Sequence, residues 1–127
     1  MTQPAQQHHG INYIEFTTTD VQKSQRFYEK AFGWNFQSFG PGYISFDKAS
    51  AGIDGGFRRG ELGQKSDQSA PDKSAPLIVL YSQDLKKTEA AVLEAGGEIV
   101  VATFEFPGGR RFHFSDGAGN VLAVWSE

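Results

Sequence analysis

Apolar and polar positions follow two rhythms along this chain, and each rhythm occurs twice. In DVQKSQRFYEKAFG, from Asp20, apolar side chains fall at Val21, Phe27, Tyr28 and Ala31, the spacing of one helix face. In DLKKTEAAVLEAGG, from Asp84, Leu85, Ala91, Val92 and Ala95 keep the same spacing. Each run opens on an aspartate, whose carboxylate accepts a bond from a free N–H of the first helical turn. Each closes on glycine, Gly33 or Gly96-Gly97, which takes the left-handed conformation of a helix end without steric cost. Two helices of about 12–14 residues are therefore predicted. Around them the period drops to two, the mark of strands. One strand is expected ahead of each helix, through Ile14 and Phe16 and through Ile78 and Leu80. Others are expected at 35–38, 43–47 and 51–57, and again at 98–105, 111–115 and 120–126. Turn residues separate them at Phe39-Gly40-Pro41-Gly42, Pro107-Gly108-Gly109 and Asp116-Gly117-Ala118-Gly119-Asn120.

The two halves are copies. An offset of 64 residues lays Asp20 on Asp84, Val21 on Leu85, Ser24 on Thr88, Ala31 on Ala95 and Gly33 on Gly97, without gaps. The same offset lays Ile14 and Phe16 on Ile78 and Leu80. That offset is half of the 127 residues, so the repeat accounts for the whole chain. One strand–helix–three-strand unit cannot bury both faces of its sheet, and the two units are expected to pack together as a single domain. The expected boundaries are a tail at 1–10, a first module at 11–57, a polar linker at 58–76 and a second module at 77–126.

Composition narrows the partners. A net charge of −3 and a pI near 5.6 argue against nucleic acid, which needs a clustered basic excess. Zero cysteines exclude disulfides, thiolate metal sites and a cysteine nucleophile. No apolar run approaches membrane-spanning length, and the N-terminus lacks the pattern of a signal peptide. A cytoplasmic location is expected. Eleven Phe against one Met predict a core, or a cavity, walled by rigid rings.

The βαβββ duplication, the segment TTTDVQKSQRFYEKAFGW and the closing DGAGNVLAVW resemble the glyoxalase/bleomycin-resistance/dioxygenase (vicinal oxygen chelate) superfamily, over roughly residues 11–126. The resemblance implies an α+β fold. Two tandem βαβββ modules would form a curled, barrel-like mixed sheet around a ligand cavity, with the helices outside. It also implies a homodimer, which would cover exposed sheet edges. It does not name a reaction, because this fold serves lyases, isomerases, ring-cleaving dioxygenases and antibiotic-binding proteins alike.

Strand alternation selects the side chains for the cavity. If Ile14 and Phe16 face the helices, Tyr13, Glu15 and Thr17 face the other way; Leu122 and Val124 likewise turn Val121, Ala123 and Trp125 to that side. Metal enzymes of the resembled family place His or Glu at one inward position in each of four strands. Carried over, those places are Tyr13, seven before Asp20; Leu77 or Ile78; Ala123, seven after Asp116; and Asp54. Only Asp54 is a typical ligand, and a divalent ion needs several. No metal and no other cofactor is expected.

Glu15 has three readings: a carboxylate bonded to Tyr or Arg for structure, a contact to a ligand, or an acid/base tuned by burial. His113, alternating with Phe112 and Phe114, is either a packed residue or a general base on the face it shares with Arg111. Arg58-Arg59 and Arg110-Arg111 either serve solubility in loops or clamp an anion. Gly55-Gly56 and Gly108-Gly109 match no phosphate-binding fingerprint and are expected to form a bulge and a turn. Trp34 is assigned to the core, and Trp125 is placed to stack on a flat ligand. His8-His9, neighbours in the tail, carry no expected role. The expected function is thus metal-independent binding of a small organic molecule by Tyr13, Glu15, Trp125 and Arg111. The alternative is a lyase or isomerase of the glyoxalase I (lactoylglutathione lyase) type, using Glu15, His113 or an unrecognised metal site. A third possibility is a component that acts through its dimer interface.

Overall fold

Two sheets of four strands, each backed by a helix, embody the duplication in a computed structural model that describes residues 8–9, 11–60 and 77–127. The first module runs β1 (Tyr13–Thr18), α1 (Val21–Phe32), β2 (Phe36–Ser38), β3 (Tyr43–Phe46), α2 (Lys48–Ala51) and β4 (Asp54–Arg59). The second runs β5 (Val79–Tyr81), α3 (Leu85–Glu94), β6 (Glu98–Phe106), β7 (Gly109–Ser115) and β8 (Val121–Ser126). Strand order is β1-β4-β3-β2 in one sheet and β5-β8-β7-β6 in the other. The pairs β1–β4 and β5–β8 are parallel and the rest antiparallel, so both sheets are mixed. The α+β fold of two open, curled sheets stands as expected. Residues 61–76 of the expected linker and 1–7 and 10 of the tail lie outside the described residues. Among the described residues no helix is long and apolar enough to cross a membrane.

The repeat extends to single hydrogen bonds. Asp20 and Asp84 cap α1 and α3 by accepting from Lys23 N and Lys87 N, each at 3.1 Å. Thr18 Oγ1 meets Ser24 Oγ at 2.7 Å, and 64 residues later Ser82 Oγ meets Thr88 Oγ1 at 2.7 Å. Each pair ties the end of a strand to the helix that follows.

The DGAGN turn joins the modules. Asp116 Oδ1 accepts from Ala118 N at 2.8 Å and Asn120 N at 3.1 Å, while Tyr28 of α1 donates to its Oδ2 at 2.9 Å. Asn120 Nδ2 donates to Thr17 O at 3.0 Å, Thr19 N to Ala118 O at 3.2 Å and Lys23 Nζ to Gly117 O at 3.1 Å. Burial raises the pKa of the Asp116 carboxyl, and burial followed by Asp116 raises that of the Tyr28 phenol. Below this joint the core is aromatic: Phe27 stacks on Phe114 at 5.9 Å and Tyr28 on buried Trp34 at 4.8 Å. Eight of the eleven Phe belong to this core, which is where the aromatic bias is spent.

Three expectations need correction. The strand expected at 51–57 starts later, because Asp47 and Gly52 cap the short helix α2 ahead of it. Gly55-Gly56 form no bulge, since β4 keeps unbroken register with β1 from Tyr13↔Asp54 to Thr18↔Arg59. They are glycines because their neighbours leave no room. A Cβ at Gly55 would lie 2.2 Å from Ile14 O, and one at Gly56 would lie 2.3 Å from the Tyr43 hydroxyl and 2.7 Å from Ile44 O. Irregular register occurs instead in β6, between Ile99 and Val101 and between Val101 and Phe104. Third, Arg58, Arg59 and Arg110 also sit on strands, β4 and β7, beside Arg111, whose strand was expected. Gly108, with φ of 115°, does make the expected turn.

Candidate functional site

Strand parity holds on the face turned away from the helices. Phe16 packs with the core and half-buried Ile14 lies beside it in the wall of the helix-side hollow, while Tyr13 and Glu15 face the other way. Leu122 and Val124 are core residues, which leaves Val121, Ala123 and Trp125 on that opposite face of β8.

On the first sheet this face carries a bonded polar group. The Tyr13 and Tyr43 hydroxyls lie 2.5 Å apart, and Tyr43 donates to Glu15 Oε1 at 3.1 Å. Arg58 Nε stands 3.4 Å from Glu15 Oε2. Burial, then the bonds with Tyr13 and Glu15, raise the Tyr43 phenol far above its ordinary pKa and keep it a donor. Gly56 makes room for the Tyr43 ring. With both oxygens engaged and the side chain half-exposed, Glu15 has the surroundings of a structural carboxylate. Asp54, opposite Tyr13, accepts from Lys48 N at 2.7 Å and so helps cap α2.

The second sheet carries a different group. Cross-strand register sets Tyr81, Trp125, Arg111 and Phe104 in one row, and Val79, Ala123, His113 and Val101 in the next. The Arg111 guanidinium lies 5.2 Å from the Phe104 ring centre and 5.5 Å from that of Phe106, a double cation–π contact. Trp125 meets Tyr81 edge-on at 5.1 Å and Phe106 at 6.2 Å. A hollow of about 360 Å³ opens here, lined by Val79, Phe106, Pro107, Gly108, Arg111 and Trp125. Arg111 lines the hollow, and Arg111 Nε and His113 Nε2, two residues apart on the same face of β7, are buried without a hydrogen-bond partner. Burial, then the charge of Arg111, lower the pKa of His113 and so disfavour its imidazolium. A second hollow of about 460 Å³ lies on the helix side between β1 and β5, with mostly apolar walls such as Phe16, Trp34 and Leu80.

The expected site residues thus fall into two groups, Tyr13 with Glu15 and Trp125 with Arg111, each bonded or stacked within its own sheet. Tyr43, Tyr81, Phe104 and Phe106 complete them and were not anticipated. Phe104 and Phe106 stand two apart in TFEF, a period-two signal opposite RRFHF that was available in the sequence.

The four family metal positions do not suit a divalent ion. Ala123 is a fully buried methyl, Leu77 and Ile78 just ahead of β5 are aliphatic, the Tyr13 hydroxyl is bonded to Tyr43, and Asp54 has an oxygen committed to Lys48 N. Among the described residues no three His, Asp or Glu come together.

A family model described as Glyoxalase/Bleomycin resistance protein/Dioxygenase superfamily matches residues 10–124. A glyoxylase-like domain-containing protein from Didymella fabae is 31% identical over 121 residues, which cover 92% of this chain and 93% of the relative. Among solved structures, a glyoxalase-related enzyme from Fulvimarina pelagi has a TM-score of 0.72 at 18% identity, covering 94% of this chain and 88% of its own. The fosfomycin resistance protein FosX from Listeria monocytogenes has a TM-score of 0.71 at 15% identity, covering 93% of each chain. At such identities the structural likeness is one of fold.

Proposed function

This chain belongs to the glyoxalase/bleomycin resistance protein/dioxygenase superfamily, and from that premise we propose that it binds a small planar organic molecule beside Trp125 without a metal. One observation carries the reading: a hollow of about 360 Å³ walled by Trp125, Phe106 and Val79, with a cation at its edge. Apolar walls with a few placed polar groups are the ordinary make-up of a small-molecule site, and this volume lies within the usual range. Flat rings give a flat ligand area without much loss of conformational freedom. The first-sheet group takes the lesser part. Glu15, held by Tyr43 and Arg58, fixes the face of its own sheet rather than abstracting a proton. With no group of three His, Asp or Glu among the described residues, the reading is one of binding in the hollow. It acts as a homodimer, a reading supported by exposed apolar side chains at Ile11, Leu77, Val79 and Tyr81 beside open strand edges.

The two tryptophans make the test simple. Trp34→Phe leaves Trp125 as the only indole emitter, and a screen of planar organic molecules in the presence of chelator should give saturable changes in its emission. Trp125→Phe should bind the same molecules about tenfold more weakly or worse. A response that appears only on adding a divalent ion would instead favour the lyase or isomerase of the glyoxalase I type.

A further inference from the structure

We propose that the molecule held beside Trp125 is an aromatic carboxylate, its carboxylate received by the guanidinium of Arg111, with His113 next to it on the same face of β7. This rests on the reading of the hollow as a ligand site and adds the chemical class of the ligand. Three observations lead to it.

Arg111 Nε and His113 Nε2 are the buried side-chain nitrogens or oxygens that lack a partner among the described residues. Buried polar groups are ordinarily paired, so two orphans on one strand face, one of them on the arginine that lines the hollow, point to an acceptor that arrives from outside. Both belong to the same face of β7, two residues apart, and the Phe104 ring touches both side chains. A carboxylate offers two oxygens and can take both bonds from the guanidinium fork.

Charge points the same way. Glu15 pairs with Arg58, whereas among the described residues no carboxylate lies within ion-pair distance of Arg111. Arg110, its neighbour, is turned to the opposite face of β7, the face of Glu105. The rings of Phe104 and Phe106 hold the Arg111 guanidinium without neutralising it. A cation fixed in position by aromatic rings, with its planar fork unclaimed, is well matched to a carboxylate.

The shape of the hollow supplies the rest. Its apolar wall is built from Trp125 and Phe106, with Val79 closing one side, and its volume of about 360 Å³ admits one or two fused rings. A ring carrying a carboxylate in its plane can lie against the indole and reach Arg111 from the same position.

The test pairs 2-naphthoate with its neutral counterpart 2-naphthamide on the ¹⁵N-labelled full chain, following the indole N–H resonances of Trp125 and Trp34. Naphthoate should move the Trp125 resonance saturably and leave that of Trp34, in the core, where it was. Naphthamide should bind about tenfold more weakly. Arg111→Gln should abolish that preference while leaving the Trp34 resonance unchanged, which shows that the fold is intact. His113→Gln should reduce it in part, and Arg111→Lys should restore some but not all of it. Equal binding of the two probes, or a preference that survives Arg111→Gln, would overturn the carboxylate and leave the hollow as a ligand site. If neither probe moves Trp125, the carboxylate and the hollow fall together.

Discussion

His113 is the residue whose chemistry shows most directly in solution. Burial and the neighbouring Arg111 charge both disfavour its imidazolium, so its folded pKa lies below the ordinary 6.5. Between those two values the unfolded chain binds more protons than the folded one, and stability therefore falls as pH is lowered through 6.5. The charged group facing His113 is Arg111; Phe104, Val101 and Ala123 surround it, and exposed Glu98 stands opposite Ser115 further along the same face. The melting temperature should drop between pH 7.5 and pH 5.5, and the drop should be smaller in His113→Gln. An equal drop in both proteins would show that His113 does not titrate as described. Parity in the sequence placed His113, Arg111 and Trp125 on one face, because β7 and β8 keep a strict period of two. Phe104 and Phe106 alternate in TFEF, but the two register shifts between Ile99 and Phe104 kept the start of β6 from fixing which face they take. A Glu15 bonded to Tyr or Arg was among its readings, but which Tyr and which Arg depended on which strands become neighbours.

The strands show a second limit of local reading. Gly55-Gly56 looks like a bulge in the sequence, yet β4 passes through it without a break. The reason is tertiary: the Ile14 carbonyl, the Phe46 ring and the Tyr43 hydroxyl occupy the space where side chains would be. Gly55→Ala should cost about 2–4 kcal/mol in urea unfolding, because the 2.2 Å approach is to backbone, which cannot swing aside. A loss within about 0.5 kcal/mol would mean that β1 and β4 are further apart than described. The helices were easier to foresee. Their aspartate caps and glycine stops are local, and the offset of 64 residues predicts the second from the first. α2 was missed because four residues are too few to show a period.

For the molecule as a whole, the repeat made the architecture legible, since two half-buried units must find each other. What the sequence left open was the joint. Asp116 and Asn120 read as turn residues, and only the fold reveals that they bind Tyr28 and Thr17 of the other module. The open sheet edges set the expectation for assembly: light scattering at micromolar concentration should give twice the 13.9 kDa chain mass. A monomer mass would remove the homodimer and leave the hollow untouched. Binding in that hollow without a metal is the central claim, and calorimetry tests it most directly. The best molecule from the Trp125 screen would be titrated into chelator-treated protein, then into the same protein with Mn(II) added. The account predicts one site per chain and the same affinity in both titrations. Affinity that appears, or rises about tenfold or more, only with Mn(II) would contradict it.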